Sequence, residues 1–198
     1  MELIKSKTYL NLAKAYAGEC QARVRYEFME YGARQKGYKQ MAELIDKVVY
    51  NEFNHARMLY TKLQDASDTP IKNIDISSGY PFKQKWNLEE ALKFSIEDEK
   101  NEIEIYKTYS EVAKKEGFED IAILFNHLAN IENCHAMRFT SLYEQLSNNT
   151  MYKKPQPIKW KCADCGYEVT SKSAPKTCPV CQAKQGSFML NFEKESEE

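Results

Sequence analysis

The sequence predicts an all-α fold, a four-helix bundle with one long crossover, followed by a small four-cysteine metal knuckle. Three observations carry that prediction. Four long segments repeat their apolar residues at steps of three and four. One stretch between the second and third is instead rich in Pro, Gly, Ser, Asn and Asp. Four of the six cysteines fall in two Cys-x-x-Cys pairs near the end of the chain.

The first segment is read as a helix from Ser6 to Gln35, with Tyr9, Leu12, Tyr16, Glu19, Arg23 and Tyr26 on one stripe. The second runs from Tyr38 to Asp65, with Met41, Leu44, Ile45, Val48, Glu52, His55 and Leu59 facing inward. The third runs from Leu88 to Lys115 on a heptad stripe through Ser95, Glu99, Glu102, Tyr106, Tyr109 and Ala113. The fourth runs from Phe118 to Leu146 through Ile121, Leu124, Leu128, Glu132, His135 and Phe139. Each pattern is one face of an amphipathic helix.

Gly37 and Gly117 interrupt the patterns just before an aromatic residue and read as C-terminal caps of two helical hairpins. Ala66 to Trp86, with Pro70, Gly79 and Pro81, reads as the crossover between them. Two hairpins and one long crossover make the ferritin-like version of the bundle. The expected divisions are a bundle over 1–147, a linker over 148–158 and a rubredoxin-like metal-knuckle domain over 159–192. An acidic tail over 193–198 follows.

Composition narrows the function. A hydrophobic fraction of 42% with 29% charged residues is ordinary for a globular protein, and seven glycines with six prolines favour helix over turn-rich β structure. A net charge of −1 gives no footprint for nucleic acid or an anionic membrane. Met1 to Leu10 lacks the apolar run of a signal peptide, and no stretch has the roughly 18 apolar residues of a membrane span. A cytoplasmic location is expected, and there paired cysteines favour metal over disulfide.

Five acids, Glu19, Glu52, Glu99, Glu102 and Glu132, occupy inward positions, and His55 and His135 each follow an acid by three. Residues three apart share a helix face, so each Glu-x-x-His can aim a carboxylate and an imidazole at one point. Their depths agree as well. Glu19 and Glu52 lie 18 and 15 residues from Gly37; Glu99, Glu102 and Glu132 lie 18, 15 and 15 from Gly117. At the rise of a helix all five fall about 22–27 Å from their own turns. One Glu-x-x-His alone is common on a solvated face; two, with three further acids at matched height, are not. Buried without compensation they would be strongly destabilising, and two inward imidazoles with Arg23 are too few partners. Two metal ions supply the missing charge, and carboxylate with imidazole suits iron or manganese. His127 lies off the stripe and reads as a surface residue, Cys20 and Cys134 as small apolar filler. Among Tyr16, Tyr26, Tyr106 and Tyr109, one or two are expected to hydrogen-bond the acids.

Cys162, Cys165, Cys178 and Cys181 can enclose one tetrahedral ion. Four thiolates fit both zinc and iron, and a zinc staple for a domain too small to hold its own core is the plainer alternative. Gly166 after the first pair, Pro179 inside the second, and Trp160, Tyr167 and Phe188 as a shield favour a rubredoxin-type iron.

Over nearly its whole length the chain resembles the rubrerythrin family. The matching stretches are Ala17-Gly18-Glu19-Cys20-Gln21-Ala22-Arg23, Glu52-x-x-His55-Ala56, Glu116-Gly117-Phe118, Glu132-x-x-His135, and the Trp-x-Cys-x-x-Cys-Gly-Tyr and Cys-Pro-x-Cys knuckle. The resemblance implies that Glu52 and Glu132 bridge two irons, with Glu19 terminal on one and Glu99 with His135 on the other. It also implies that one iron moves between His55 and Glu102 with oxidation state. One departure stands out. Aligned from Gly117 without a gap, the family's helix-three acids fall on Asp98 and Asn101. A one-residue deletion, such as loss of a π-bulge, restores Glu99 and Glu102, as the heptad stripe requires.

The same resemblance, with the chemistry of the site, implies a peroxidase. It would reduce hydrogen peroxide to water in the oxidative-stress defence of an anaerobe or microaerophile. Electrons would come through the four-cysteine iron from a rubredoxin or an NAD(P)H-linked flavoprotein reductase, within a homodimer. The rivals are a ferroxidase or iron-handling protein and a zinc-stapled binding module without catalysis.

Overall fold

The structure is a computed structural model and describes residues 2–79 and 87–190. Four helices form the bundle: α1 Lys7–Gln35, α2 Lys39–Gln64, α3 Leu88–Glu116 and α4 Glu119–Ser147. All four lie within two residues of their expected limits, because their ends carry local signals. The Ser6 side chain accepts from the Tyr9 amide to start α1, and Asn87 accepts from the Glu89 and Glu90 amides to start α3. Gly37 at φ 80° and Gly117 at φ 86° end the first and third helices. At each, the next amide reaches back to the carbonyl five residues earlier, Tyr38 to Ala33 and Phe118 to Ala113, both at 2.9 Å.

Helices α1 and α2 pair as one hairpin and α3 and α4 as the other, with α1 packed against α3. Above and below the mid-level acids the interior is apolar. One cluster joins Tyr26, Met29, Met41, Ile45, Leu92 and Phe139; the other joins Leu12, Leu59, Tyr106, Ile121, Phe125 and Leu128. Each large side chain so buried contributes about 1.5–3 kcal/mol. Ile71, Ile74 and Ile76 of the crossover cover the second cluster. The end of the expected crossover and the tail 193–198 lie outside the described residues.

Two sequence expectations differ from the structure. Strand β1 spans Lys153–Cys162, so it begins inside the expected linker 148–158. Pro155 and Pro157 looked like linker residues. The strand accommodates them where its register with β2 (Glu168–Ser173) shifts, between Lys153 and Ile158, since proline donates nothing to a ladder. With β3 (Phe188–Leu190) the antiparallel order is β2-β1-β3. The α1 stripe also runs through Ala15 and Ala22 rather than Tyr16 and Arg23, which are only partly buried.

Candidate metal centres

The helices bring six of the seven proposed bundle ligands together. Glu19, Glu52, His55 and Glu132 form one group and Glu52, Glu99, Glu132 and His135 a second, each with its ligand atoms within 4.8 Å of one another. All six side chains are buried. Glu52 and Glu132 belong to both groups, so two ions held there would share them. Glu102 stands outside both groups, half-buried beside Gly18. Asp98 turns away toward Arg25 at 3.7 Å, and Asn101 is exposed. The heptad stripe, not the ungapped alignment, therefore matches where the chain puts its acid.

Geometry tests whether these donors fit a metal. The Nδ1 of His135 lies 2.9 Å from Glu52 and 2.8 Å from Glu132; that of His55 lies 3.3 Å from Glu132 and 3.4 Å from Glu19. Yet both Nδ1 atoms, both oxygens of Glu52 and of Glu132, Glu19 Oε2 and Glu99 Oε2 make no hydrogen bond. They are close enough and wrongly directed: their lone pairs converge on common points instead of on each other. Orphaned buried groups of this kind are rare and costly, and a cation at each point satisfies them.

The remaining atoms have definite partners. Tyr106 donates its hydroxyl to Glu19 Oε1, and Tyr26 donates to Glu99 Oε1 at 2.7 Å. Burial raises the Glu19 and Glu99 carboxyls well above the usual range, with Glu52 the next cause for each. The Nε2–H of His135 donates to Asn51 Oδ1 at 3.4 Å, leaving Nδ1 for a ligand. Asn51 also lines an open cleft of about 790 Å³ with Arg23, Phe53 and Arg138. Sequence reasoning missed Asn51, whose only signal is its place beside Glu52. Arg23 is not a partner of the acids: its guanidinium pairs with Glu27 at 2.9 Å and lies over the Phe53 ring. His127 and Cys134 are exposed, so Cys134 fills no core, and Cys20 is half-buried.

In the knuckle domain Cys162, Cys165, Cys178 and Cys181 converge in the same way. Cys162 Sγ lies 3.7 Å from Cys181 Sγ and Cys165 Sγ lies 3.6 Å from Cys178 Sγ, too far for disulfides and right for the edges of a tetrahedron around one ion. Each pair sits in a turn closed by backbone bonds, Gly166 N to Cys162 O at 2.8 Å and Gln182 N to Cys178 O at 3.0 Å. Gly166 and Gln182 take positive φ in the two turns. Trp160 and Phe188 are fully buried against Cys162 and Cys178, while Cys165 and Cys181 are exposed. One side of the site is sheltered and the other is open at the surface.

The rubrerythrin family model matches residues 11–91 and 90–172, and the model of the rubredoxin-like domain of rubrerythrin matches 160–189. The rubrerythrin of Clostridium perfringens (strain 13 / Type A) is 35% identical over 184 residues, 92% of this chain and 93% of that one. The putative rubrerythrin of Methanocaldococcus jannaschii is 35% identical over 192 residues, 95% and 94% of the two chains. A solved structure of nigerythrin in a partially reduced state has the same fold, with a TM-score of 0.62 at 22% identity over 96% of this chain and 94% of that one.

Proposed function

The chain belongs to the rubrerythrin family, with its di-iron carboxylate and four-cysteine sites, and on that premise we propose that it is a non-haem di-iron peroxidase. It reduces hydrogen peroxide to water with electrons passed through the four-cysteine iron. The observation that supports this most is the pair of buried four-ligand groups sharing Glu52 and Glu132, joined in one chain to a half-open site of four thiolates.

When bound, two adjacent ferrous ions supply the electron pair that splits the O–O bond. In this reading Glu52 and Glu132 would hold both ions, Glu19 and His55 would complete one set, and Glu99 and His135 would complete the other. Glu102, outside both groups, would be the alternative ligand to His55. Burial, with Glu132 and Glu52 next, pushes its carboxyl up to about 8, so with no cation bound it would hold a proton at neutral pH. Tyr106 and Tyr26 each hold a proton on a hydroxyl aimed at Glu19 or Glu99, fixing the terminal carboxylates.

The knuckle domain packs at the Gly37 end of the bundle, against the start of α2. Glu52 lies 13 residues beyond Lys39 along that helix, which is about 20 Å at the rise of a helix. A second copy that sets its knuckle against the cleft at Asn51 would shorten that gap, which favours a homodimer exchanging electrons between subunits. The electron donor would be a rubredoxin or an NAD(P)H-linked flavoprotein reductase. Thiolate metal sites fit the reducing cytoplasm.

A ferroxidase is the second reading, since carboxylate di-iron sites also oxidise ferrous ions. The four-cysteine domain counts against it, because storage needs no returning electron. Metal analysis and anaerobic stopped-flow separate the readings. A peroxidase carries iron at both kinds of site, and its reduced form oxidises faster with peroxide than with oxygen and turns over with a donor. Zinc at all sites, or oxidation that releases ferric iron without turnover, would reject it.

A further inference from the structure

An ion pair ties the knuckle to the bundle. Asp164 stands between Cys162 and Cys165, and its carboxylate takes the ammonium of Lys39, the first residue of α2. The side chains are 35% and 38% exposed. The backbone around the pair is held in place. Tyr38 stacks on Tyr152 with 6.3 Å between centroids, and the Tyr152 hydroxyl donates to the Gly186 carbonyl at 3.4 Å. Gly186 approaches Gly37 so closely that a Cβ there would overlap the Gly37 carbonyl oxygen. Glu168, the other acid of the described knuckle domain, faces Lys159 at 3.9 Å and Lys161 at 3.8 Å on its own sheet. The acid inside the metal loop is thus the one neutralised from the bundle.

A ferric ion among four thiolates carries one net negative charge, and the ferrous ion carries two. A carboxylate beside the sulfurs therefore opposes the incoming electron, and an ammonium favours it. We propose that Lys39 is a positioning residue of the electron relay. By neutralising Asp164 it holds the reduction potential of the four-cysteine iron above the value the knuckle would have with that carboxylate bare. The bundle thereby sets the redox poise of the domain docked on it. An exposed pair adds little to stability, so its worth lies in this charge balance. The inference rests on iron occupying the four-cysteine site, as proposed above.

The two residues separate charge tuning from simple docking. Redox titration of the full chain at low salt, followed by the visible absorption of the ferric thiolate site, compares Lys39→Gln, Asp164→Asn and the double variant with the unaltered protein. Tuning predicts shifts of opposite sign. Lys39→Gln lowers the potential, Asp164→Asn raises it, and the double variant returns close to the starting value. Added salt shrinks both single shifts. Shifts of one sign in both single variants mean that releasing the contact is what matters, and that result, or no shift at all, overturns the proposal. A colourless zinc site with no couple to titrate would overturn the iron reading beneath it and this inference with it.

Discussion

His55 and His135 face each other across the bundle core, 5.8 Å between ring centroids and 22° between planes, and each Nδ1 lies within 3.5 Å of both Glu52 and Glu132. Neither imidazole can be served by one of those acids alone. Glu52→Ala should therefore empty both halves of the bundle site and leave only the four-cysteine iron. His55→Ala removes a donor from one group and leaves the Glu52, Glu99, Glu132 and His135 group whole. Iron content and Mössbauer area of the two variants check this. Equal loss in both would contradict the shared-carboxylate geometry.

Protons take the place of cations when the metal is stripped. Burial, then Glu132 and Glu52, lifts the Glu102 carboxyl from its ordinary 4.5 to about 8. The folded state binds that proton more tightly, so its support is complete below 4.5 and lost as pH rises through 8. Burial alone would lower the pKa of His135, but the Glu132 and Glu52 carboxylates close beside its ring raise it from 6.5 to about 9. Its contribution too is full below 6.5 and lost as pH rises through 9. Glu52 works the other way. Burial opposes its charge, but Glu19 and the two imidazoles lower its pKa, so its support fails only below 4.5. Chelated protein should melt at steadily lower temperature from pH 4.5 to 9, while iron-loaded protein should hold its midpoint because ions replace the protons. Melting curves under nitrogen test it, and a rising midpoint for the chelated protein over that interval would refute the coupling.

Helix α1 begins with no acid in its first turn. Glu116, at the end of α3, supplies one: its carboxylate accepts from the Lys7 amide at 3.1 Å, the Thr8 amide at 2.8 Å and the Thr8 hydroxyl at 2.6 Å. Glu116→Gln keeps the shape and loses the charge opposite the helix dipole, so a loss of about 0.5–2 kcal/mol is expected, as for other N-terminal caps. Burial opposes its ionisation, but the Thr8 and Lys7 hydrogen bonds lower its pKa. The difference between variant and unaltered protein should thus be full above 4.5 and shrink as acid protonates the carboxylate. Urea titrations with the iron spectrum unchanged distinguish this clamp from damage to the metal site.

What could be read from the sequence was what repeats along a helix. Glu19, Glu52, Glu99, Glu132 and both histidines announced themselves through a stripe and a shared depth, and the stripe runs through Glu99, which is buried in the cluster, while Asp98 faces Arg25. Arg23 misled because one helical step separates the buried face from its edge, where Ala22 takes the inward place. The start of β1 was masked by two prolines that a register shift absorbs. The Glu116 clamp and the Lys39 pair were invisible because their partners lie 108 and 125 residues away. Long-range polar contacts leave no period behind.

The four-cysteine domain separates turnover from a single oxidation, and Cys162 is where to cut. It is fully buried against Trp160 and Phe188, its sulfur one corner of the tetrahedron. Cys162→Ser should empty or cripple that site while the bundle groups, carried on other elements, keep their metals. Pre-reduced variant should then oxidise once with peroxide at close to the unaltered rate, and steady-state turnover with an external donor should vanish. Stopped-flow and donor-linked assays on one preparation measure both. Turnover that survived the substitution would mean electrons reach the bundle directly, and the knuckle would be a structural staple after all.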